Sequence, residues 1–337
     1  MPMADQRGGF SPNFVDVGRR SLLAQAAALV ATAPLAALAQ DSAPLRWVVP
    51  FPPGGGSDLA TRILAKRLGE ALARPVIVDN KPGAATMLAA QEVARAKPDG
   101  NTLLTAGMST LTLNPGLYGT KLPYQPDKDF AHVSTLVRLP VVLVVHPQNP
   151  ARDLKELLAW LKQQGNKASY ASTGPGTPHH VTMALWLEQN NLETIHVPYK
   201  GMPQALQDLA GGQFAMMFGD MAASAPLIKA GRLKAIAVPS RQRSKVLPDV
   251  PTFAEAGMPY EAAAWQGVVM PAGTPTDVVE RYSSIIRAAL LEAAIVEQLA
   301  HHGVEPLGST PQEFSRFAAA ERSRWTRIIQ ANRISAE

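Results

Sequence analysis

The stretch WVVPFPPGGGSD, Trp47 to Asp58, decides the fold because its design is used twice. A short apolar run, Trp47-Val48-Val49, gives way to Pro50, Pro52 and Pro53 and then to Gly54, Gly55 and Gly56, and an amphipathic helix starts near Asp58. The second copy is ASYASTGPGTPH, Ala168 to His179: short strand, Gly/Pro loop, helix. Each copy runs on into another strand and another glycine turn, Lys81-Pro82-Gly83 after the first and Tyr199-Lys200-Gly201 after the second. Gly54 to Lys81 is 27 positions and Gly174 to Lys200 is 26. Two strand–loop–helix–strand units of matched length predict two similar lobes, each presenting a helix N-terminus. Such termini carry unpaired N–H groups and partial positive charge, so a pair facing one cleft would hold an anion.

With 337 residues, 46% hydrophobic and 18% charged, the chain is long enough for two cores. It has no Cys, which excludes disulfides and thiolate chemistry. Arg19-Arg20 precede an apolar run from Leu22 to Ala33, and Ala37-Leu38-Ala39 follow just before Gln40. A charged region, a short apolar core and a small-x-small site make residues 1–39 a signal peptide; the run is too short to span a membrane. The paired arginines fit twin-arginine export, with general secretion also open. Removal of 1–39 takes three Arg and two Asp, so the net charge goes from +5 to +4. No basic stripe concentrates that charge, which argues against nucleic acid.

Short β-like runs alternate with helical periods, the pattern of α/β architecture. Strands are expected at 46–49, 76–78, 103–106, 141–146, 169–171, 195–197, 215–218, 235–238 and 267–270. Helices are expected at 58–73, 87–96, 154–164, 179–190, 203–209, 222–230, 275–300 with a break, and 311–332. Leu59, Ile63, Leu64, Leu68 and Leu72 form one face of the first helix. An irregular stretch at 108–129 is expected to wrap across a cleft. Crossings near 143 and 264 would make lobe 1 from 41–143 plus 264–337 and lobe 2 from 144–263, a layout suited to hinge closure.

In the first loop, glycine permits positive φ and close backbone approach. The N–H groups of Gly55, Gly56 and Ser57 are candidates to bind a carboxylate or phosphate, with Ser57 or Asp58 as N-cap; the alternative is a turn that only caps a helix. No dinucleotide fingerprint or Walker ending is present. In the second loop, Ser172, Thr173 and Thr177 are candidate donors beside the helix N-terminus at His179, or plain helix caps. His179-His180 has no ligand-type partner at i+4, so no metal site is expected, and His179 is read as a cap or polar wall. Asp220 ends a strand at the edge where α/β sites gather, either capping the next helix or orienting a ligand group. No G-x-S-x-G elbow is present, and no catalytic residue or cofactor is assigned.

PFPPGGGSD, VDNKPGAAT at 78–86, KPDGNTLL at 97–104, STGPGTPHH at 172–180, HVPYKG at 196–201, ALQDLAGGQ at 205–213 and DVPTFAEAG at 249–257 come in a characteristic order. Together they resemble the Bug (TctC) family, the extracytoplasmic solute receptors of tripartite tricarboxylate transporters. The resemblance implies an α/β, two-lobed periplasmic binding protein of type II-like build, with two sheet lobes flanked by helices and a cleft between them. It implies a monomer that captures a small carboxylate (organic acid, acidic amino acid or aromatic acid) and partners the transporter's membrane components. It places Phe51, Pro53, Gly54, Gly55, Gly56 and Ser57, and Ser172, Thr173, Gly174, Gly176 and Thr177, at the ligand. Phe51 stands where the family often has Tyr, Ala215 where it has an acid, and Thr86 where it has a glycine. The other classes left open are a cleft hydrolase or transferase and a sensor partner with the same fold; an enzyme needs a nucleophile–base–orienter set.

Overall fold

Leu45–Val49 (β1) is apolar almost throughout and buried on both faces, as suits a central parallel strand. The computed structural model describes residues 43–335, so the export signal read at 1–39 lies outside the described residues. β1 pairs in parallel with Val76–Asn80 (β2) on one side and Thr102–Gly107 (β3) on the other. Gly56–Leu72 (α1) makes the crossover, burying Ala60, Leu64, Ala65 and Leu68 at helical spacing. Met87–Ala94 (α2) returns the chain to β3.

Residues 108–129 are more regular than the sequence suggests. Ser109–Leu113 forms a wide π-type turn that runs into the short helix Asn114–Tyr118 (α3) and the 3₁₀ turn Gly119–Lys121. Thr110 and Thr112 are buried there, so their polar side chains hid a packed segment from a periodicity reading.

Phe130–Val145 (β4) is one 16-residue strand, of which only the end from 141 is evident in the sequence. Its first part, Phe130 to Pro140, pairs antiparallel with Ala263–Pro271 (β9), and β9 pairs with β3. From Val141 onward β4 pairs instead with Met216–Asp220 (β7) and Lys234–Ala237 (β8). The register slips twice along the β4–β9 pair, between His132 and Ser134 and between Thr135 and Val137. These slips break the alternation that sequence reading relies on.

Beyond β4, Leu154–Gln164 (α4) leads into Ser169–Ser172 (β5), and Pro178–Gln189 (α5) crosses to Ile195–Pro198 (β6), parallel to β5. This is the second copy of the β1–α1–β2 unit. Met202–Ala210 (α6) and Met221–Lys229 (α7) flank β7. After β9 come Thr276–Ala289 (α8), Ala293–His301 (α9), the short Glu305–Pro306 (β10) paired with β4, and Pro311–Ala331 (α10). The expected break in the 275–300 helix falls at Leu290 to Glu292, and Thr310 and Glu313 cap α10 reciprocally.

The strand order is β2-β1-β3-β9-β4-β7-β5-β6. Around β1 and β9, one face buries Trp47, Leu64, Tyr282 and Leu299, and the other Leu104, Phe314 and Trp325. Around β7, one face buries Trp186, Phe218 and Phe253, and the other Met217, Leu206 and Leu233. Each sheet region is therefore covered by helices on both faces.

Candidate ligand-binding cleft

Where β1 ends, the chain turns at Gly54, whose φ of +90° a side chain would resist. Gly55 is the N-cap of α1 and no side chain caps it, so the expectation that Ser57 or Asp58 is the N-cap is corrected. Asp58 instead latches the loop from inside the first turn. Its carboxylate accepts from Gly54 N at 3.0 Å, Arg62 Nε at 2.9 Å and Asn80 Nδ2 at 2.8 Å. Burial alone would raise this carboxyl; the hydrogen bonds from Arg62, Asn80 and Gly54 overcome that and hold it below its ordinary value. Asn80 Nδ2 also donates to Phe51 O at 3.0 Å. Held this way, the N–H groups of Gly56 and Ser57 have no intrahelical acceptor. Gln266 on β9 donates to Ser57 Oγ at 3.0 Å, so the Ser57 hydroxyl proton is free to be given elsewhere.

The second loop differs. Ser172 is fully buried and turned away from the cleft, with Oγ bonded to His196 Nε2 at 2.7 Å and to Gly174 O at 3.1 Å. The expectation that Ser172 donates to a ligand is corrected, because β5 needs that hydroxyl to fasten the loop to β6. Thr177 donates its hydroxyl to Gly174 O at 2.7 Å. His179 Nε2 lies 2.8 Å from Asp220 Oδ1, and Thr173 Oγ1 lies 2.9 Å from His179 Nδ1. A carboxylate only accepts, so His179 donates to Asp220 from Nε2, and the direction of the Nδ1 contact with the Thr173 hydroxyl follows the state of the ring. Asp220 sits at the N-cap position of α7 but makes no capping bond; its side chain is committed to His179. The Thr177 hydroxyl is thus already spent as a donor, contrary to the sequence expectation, and the Thr173 hydroxyl is held by His179.

Both loops open on one cavity of about 530 Å³. Of the expected residues, Phe51, Gly55, Gly56, Ser57, Thr173, Gly174, Thr177, His179 and Asp220 line it. Pro53, Gly54, Ser172 and Gly176 do not. The two loops approach each other closely, since a Cβ on Gly201 would come within 2.8 Å of Pro52 Cγ. Sequence reasoning missed Ala84 to Thr86, Tyr118, Leu139, Tyr199, Lys200 and Gln266 as wall residues. Lys200 had a signal, because its turn echoes Lys81-Pro82-Gly83. The two lysines differ in fate: Lys81 Nζ is bound to Glu92 at 2.6 Å, whereas Lys200 is exposed and has no acid partner among the described residues. Leu139 and Gln266 reach the cavity only through the β4–β9 pairing, which no local pattern reveals.

One wall is strained. Ala84, Ala85 and Thr86 have φ of 45°, 48° and 77°, three successive left-handed residues with side chains. Asn114 Nδ2 donating to Ala85 O at 2.8 Å and a Thr86–Thr110 hydroxyl contact at 2.8 Å hold them. Left-handed backbone costs a non-glycine residue about 1–2 kcal/mol. Ala85→Gly should therefore raise the unfolding temperature, by about 2 °C for a net gain near 1 kcal/mol. A fall in melting temperature would show that the turn is not strained.

Comparison with known proteins supplies the family. Residues 60–334 match the model of the tripartite tricarboxylate transporter family receptor, TctC. The chain belongs to that family. The TctC chain is 33% identical over 319 residues to Protein BugT of Bordetella pertussis, covering 92% of this chain and 96% of the relative. It is also similar to an R. palustris protein solved with adipate, at 32% identity and a TM-score of 0.83, over 86% of this chain and 97% of that one. MatC from Rhodopseudomonas palustris with bound malate matches at 31% identity and a TM-score of 0.79, over 85% and 98%. The chain therefore has the two-lobed α/β fold of periplasmic binding proteins read from its sequence. Among the described residues, no group of three His, Asp or Glu is arranged to hold a metal ion.

Proposed function

We propose that this chain is a periplasmic receptor that captures a small carboxylate between two lobes for a tripartite tricarboxylate transporter. The observation carrying this reading is the first turn of α1. Its free N–H groups and the Ser57 hydroxyl open onto a cavity of about 530 Å³, a size for a small acid. That relatives were solved with adipate and malate supports the ligand class. The lobes follow the division into 41–143 plus 264–337 and 144–263, supported to within three residues by β4 changing partners between Pro140 and Val141. Closure of these lobes on the ligand would mark the loaded receptor for its membrane partners, with the protein acting as a monomer.

A thermal-shift screen over organic acids, amino acids and their amides tests the reading. Acids that bind only the folded form should stabilise it by about 2.7 kcal/mol at a hundredfold excess over Kd. Amides that stabilise as well as their acids would remove the carboxylate from the account. Export is tested separately: the protein recovered from the periplasm should begin within a residue or two of Gln40, whereas full-length chain in the cytoplasm would contradict it.

The chain Thr173–His179–Asp220 has the connectivity of a nucleophile, base and orienter, so the hydrolase alternative has a concrete form. We read it as a binding network, in keeping with a family of receptors. Incubation with esters and amides of the acids that bind should release no product.

A further inference from the structure

We propose that Asn114, which is not among the residues lining the cavity, is a positioning residue for the ligand: it sets affinity by fixing the left-handed path of Ala84, Ala85 and Thr86. The proposal rests on the carboxylate-receptor reading above and adds a determinant that lies outside the cavity.

Asn114 opens α3 and is fully buried. Both protons of its Nδ2 are committed. One goes to Ala85 O at 2.8 Å and the other to Tyr124 Oη at 3.2 Å. The Tyr124 hydroxyl gives its own proton to Thr110 O at 2.8 Å, so towards Asn114 it accepts. These bonds fix the way the amide faces, because the reverse orientation would set Oδ1 against the Ala85 carbonyl. Oδ1 is left buried with no hydrogen-bond partner among the described residues, on the side of the second loop, where a Cβ on Gly176 would lie 3.6 Å from it. An orientation that leaves one buried oxygen unpaired persists because Nδ2 makes two bonds on the other side.

The wall depends on that hold. Ala84, Ala85 and Thr86 all line the cavity, and none is a glycine, for which positive φ would be easy. Their peptide groups are oriented together. The carbonyls of Ala84 and Ala85 accept from Met87 N and Asn114 Nδ2, and Thr86 N donates to Gly83 O at 3.0 Å. The N–H groups of Ala84 and Ala85 make no hydrogen bond among the described residues. They are donors without acceptors on a cavity wall, and successive N–H groups beside left-handed residues form concavities that take anionic oxygen. Without Asn114 the two alanines relax towards ordinary φ and those donors turn. An apolar side chain at 114 would fill the space without holding Ala85 O.

Calorimetry on the full mature chain tests this, with the strongest binder among butanedioate, hexanedioate, 2-aminobutanedioate and benzoate as the probe. Asn114→Ala should weaken that acid at least about tenfold. Ala85→Gly lets residue 85 keep its path without help, so the double variant should recover most of the loss. A residue that only filled space would show no such recovery of affinity. Normal affinity in Asn114→Ala, or an undiminished loss in the double variant, would overturn the proposal while leaving the receptor reading intact. Should Asn114→Ala fail to fold, amide exchange in the wild-type chain decides. The probe should slow exchange at Ala84 and Ala85 at least about tenfold, and exchange unchanged by the probe would overturn the proposal. Binding of none of the four acids would sink both readings.

Discussion

Stability should fall steeply as the pH drops from about 6.5 to about 4, taking the ligand site with it. Three histidines drive this. Burial, and for His180 the neighbouring His196 ring, push the imidazoles of His180, His196 and His132 down to about 4. His180 and His196 stack with centroids 4.1 Å apart, and Tyr170 stacks on His196 at 4.9 Å. His180 Nδ1 must stay unprotonated to accept the Gly176 N–H, and His196 meets Ser172. His132 Nε2 is buried without a partner, edge-on to Phe314 at 4.9 Å. In the unfolded chain all three take up protons near pH 6.5, so between 6.5 and 4 the unfolded state binds more protons. Stability is therefore complete above 6.5 and is lost on the way to 4. A shift of this size is worth on the order of 3 kcal/mol for one buried ring, so His132 and His180 together contribute about 6 kcal/mol, with the partly exposed His196 adding less than either. That is a large part of a typical 5–15 kcal/mol total. Urea midpoints at pH 7, 5.5 and 4 would measure it, and a profile flat across that range would contradict it. His180→Gln should make the profile shallower, because an amide cannot charge while His132 and His196 still do.

Asp58→Ala should be the most damaging single change at the cleft. It removes three hydrogen bonds to one buried carboxylate and releases Gly54, Arg62 and Asn80 together. About 3 kcal/mol of stability should be lost, with Arg62's half-exposed position keeping the figure below the sum of three charged bonds. Affinity should fall more than about tenfold, because Phe51 O and the Gly54 turn lose their common anchor and α1's donors are no longer held in place. A cost under 1 kcal/mol with unchanged affinity would reduce Asp58 to a favourable charge at a helix N-terminus.

The α/β order, the duplicated strand–loop–helix unit and most cleft loops were legible because each leaves a local mark. Proline and glycine punctuate the loops at 50–56 and 174–178, and Leu64 and Leu68 repeat at helical spacing. The first part of β4 was not legible, since its register slips disturb alternation and its neighbour β9 is more than a hundred residues away. The strained wall was hidden because Ala84, Ala85 and Thr86 give no turn signal. Contacts with Thr110 and Asn114, distant in sequence, help to hold the left-handed path. Side-chain direction was the deepest gap. Asp58 looked like a cap and is a latch, the Thr177 hydroxyl looked like a ligand donor and is given to Gly174 O, and His179 looked like a cap or wall and is tied to Asp220. These roles depend on partners such as Asn80 and Asp220, which the fold alone brings near.

Calorimetric titration of the best acid from the screen, beside its own primary amide at the bound carboxylate, tests carboxylate capture most directly. The acid should bind one to one and be recovered unchanged from the complex, and the amide should give no measurable heat. Equal binding of acid and amide, or conversion of the bound acid to another product, would contradict a receptor that grips its ligand by that carboxylate.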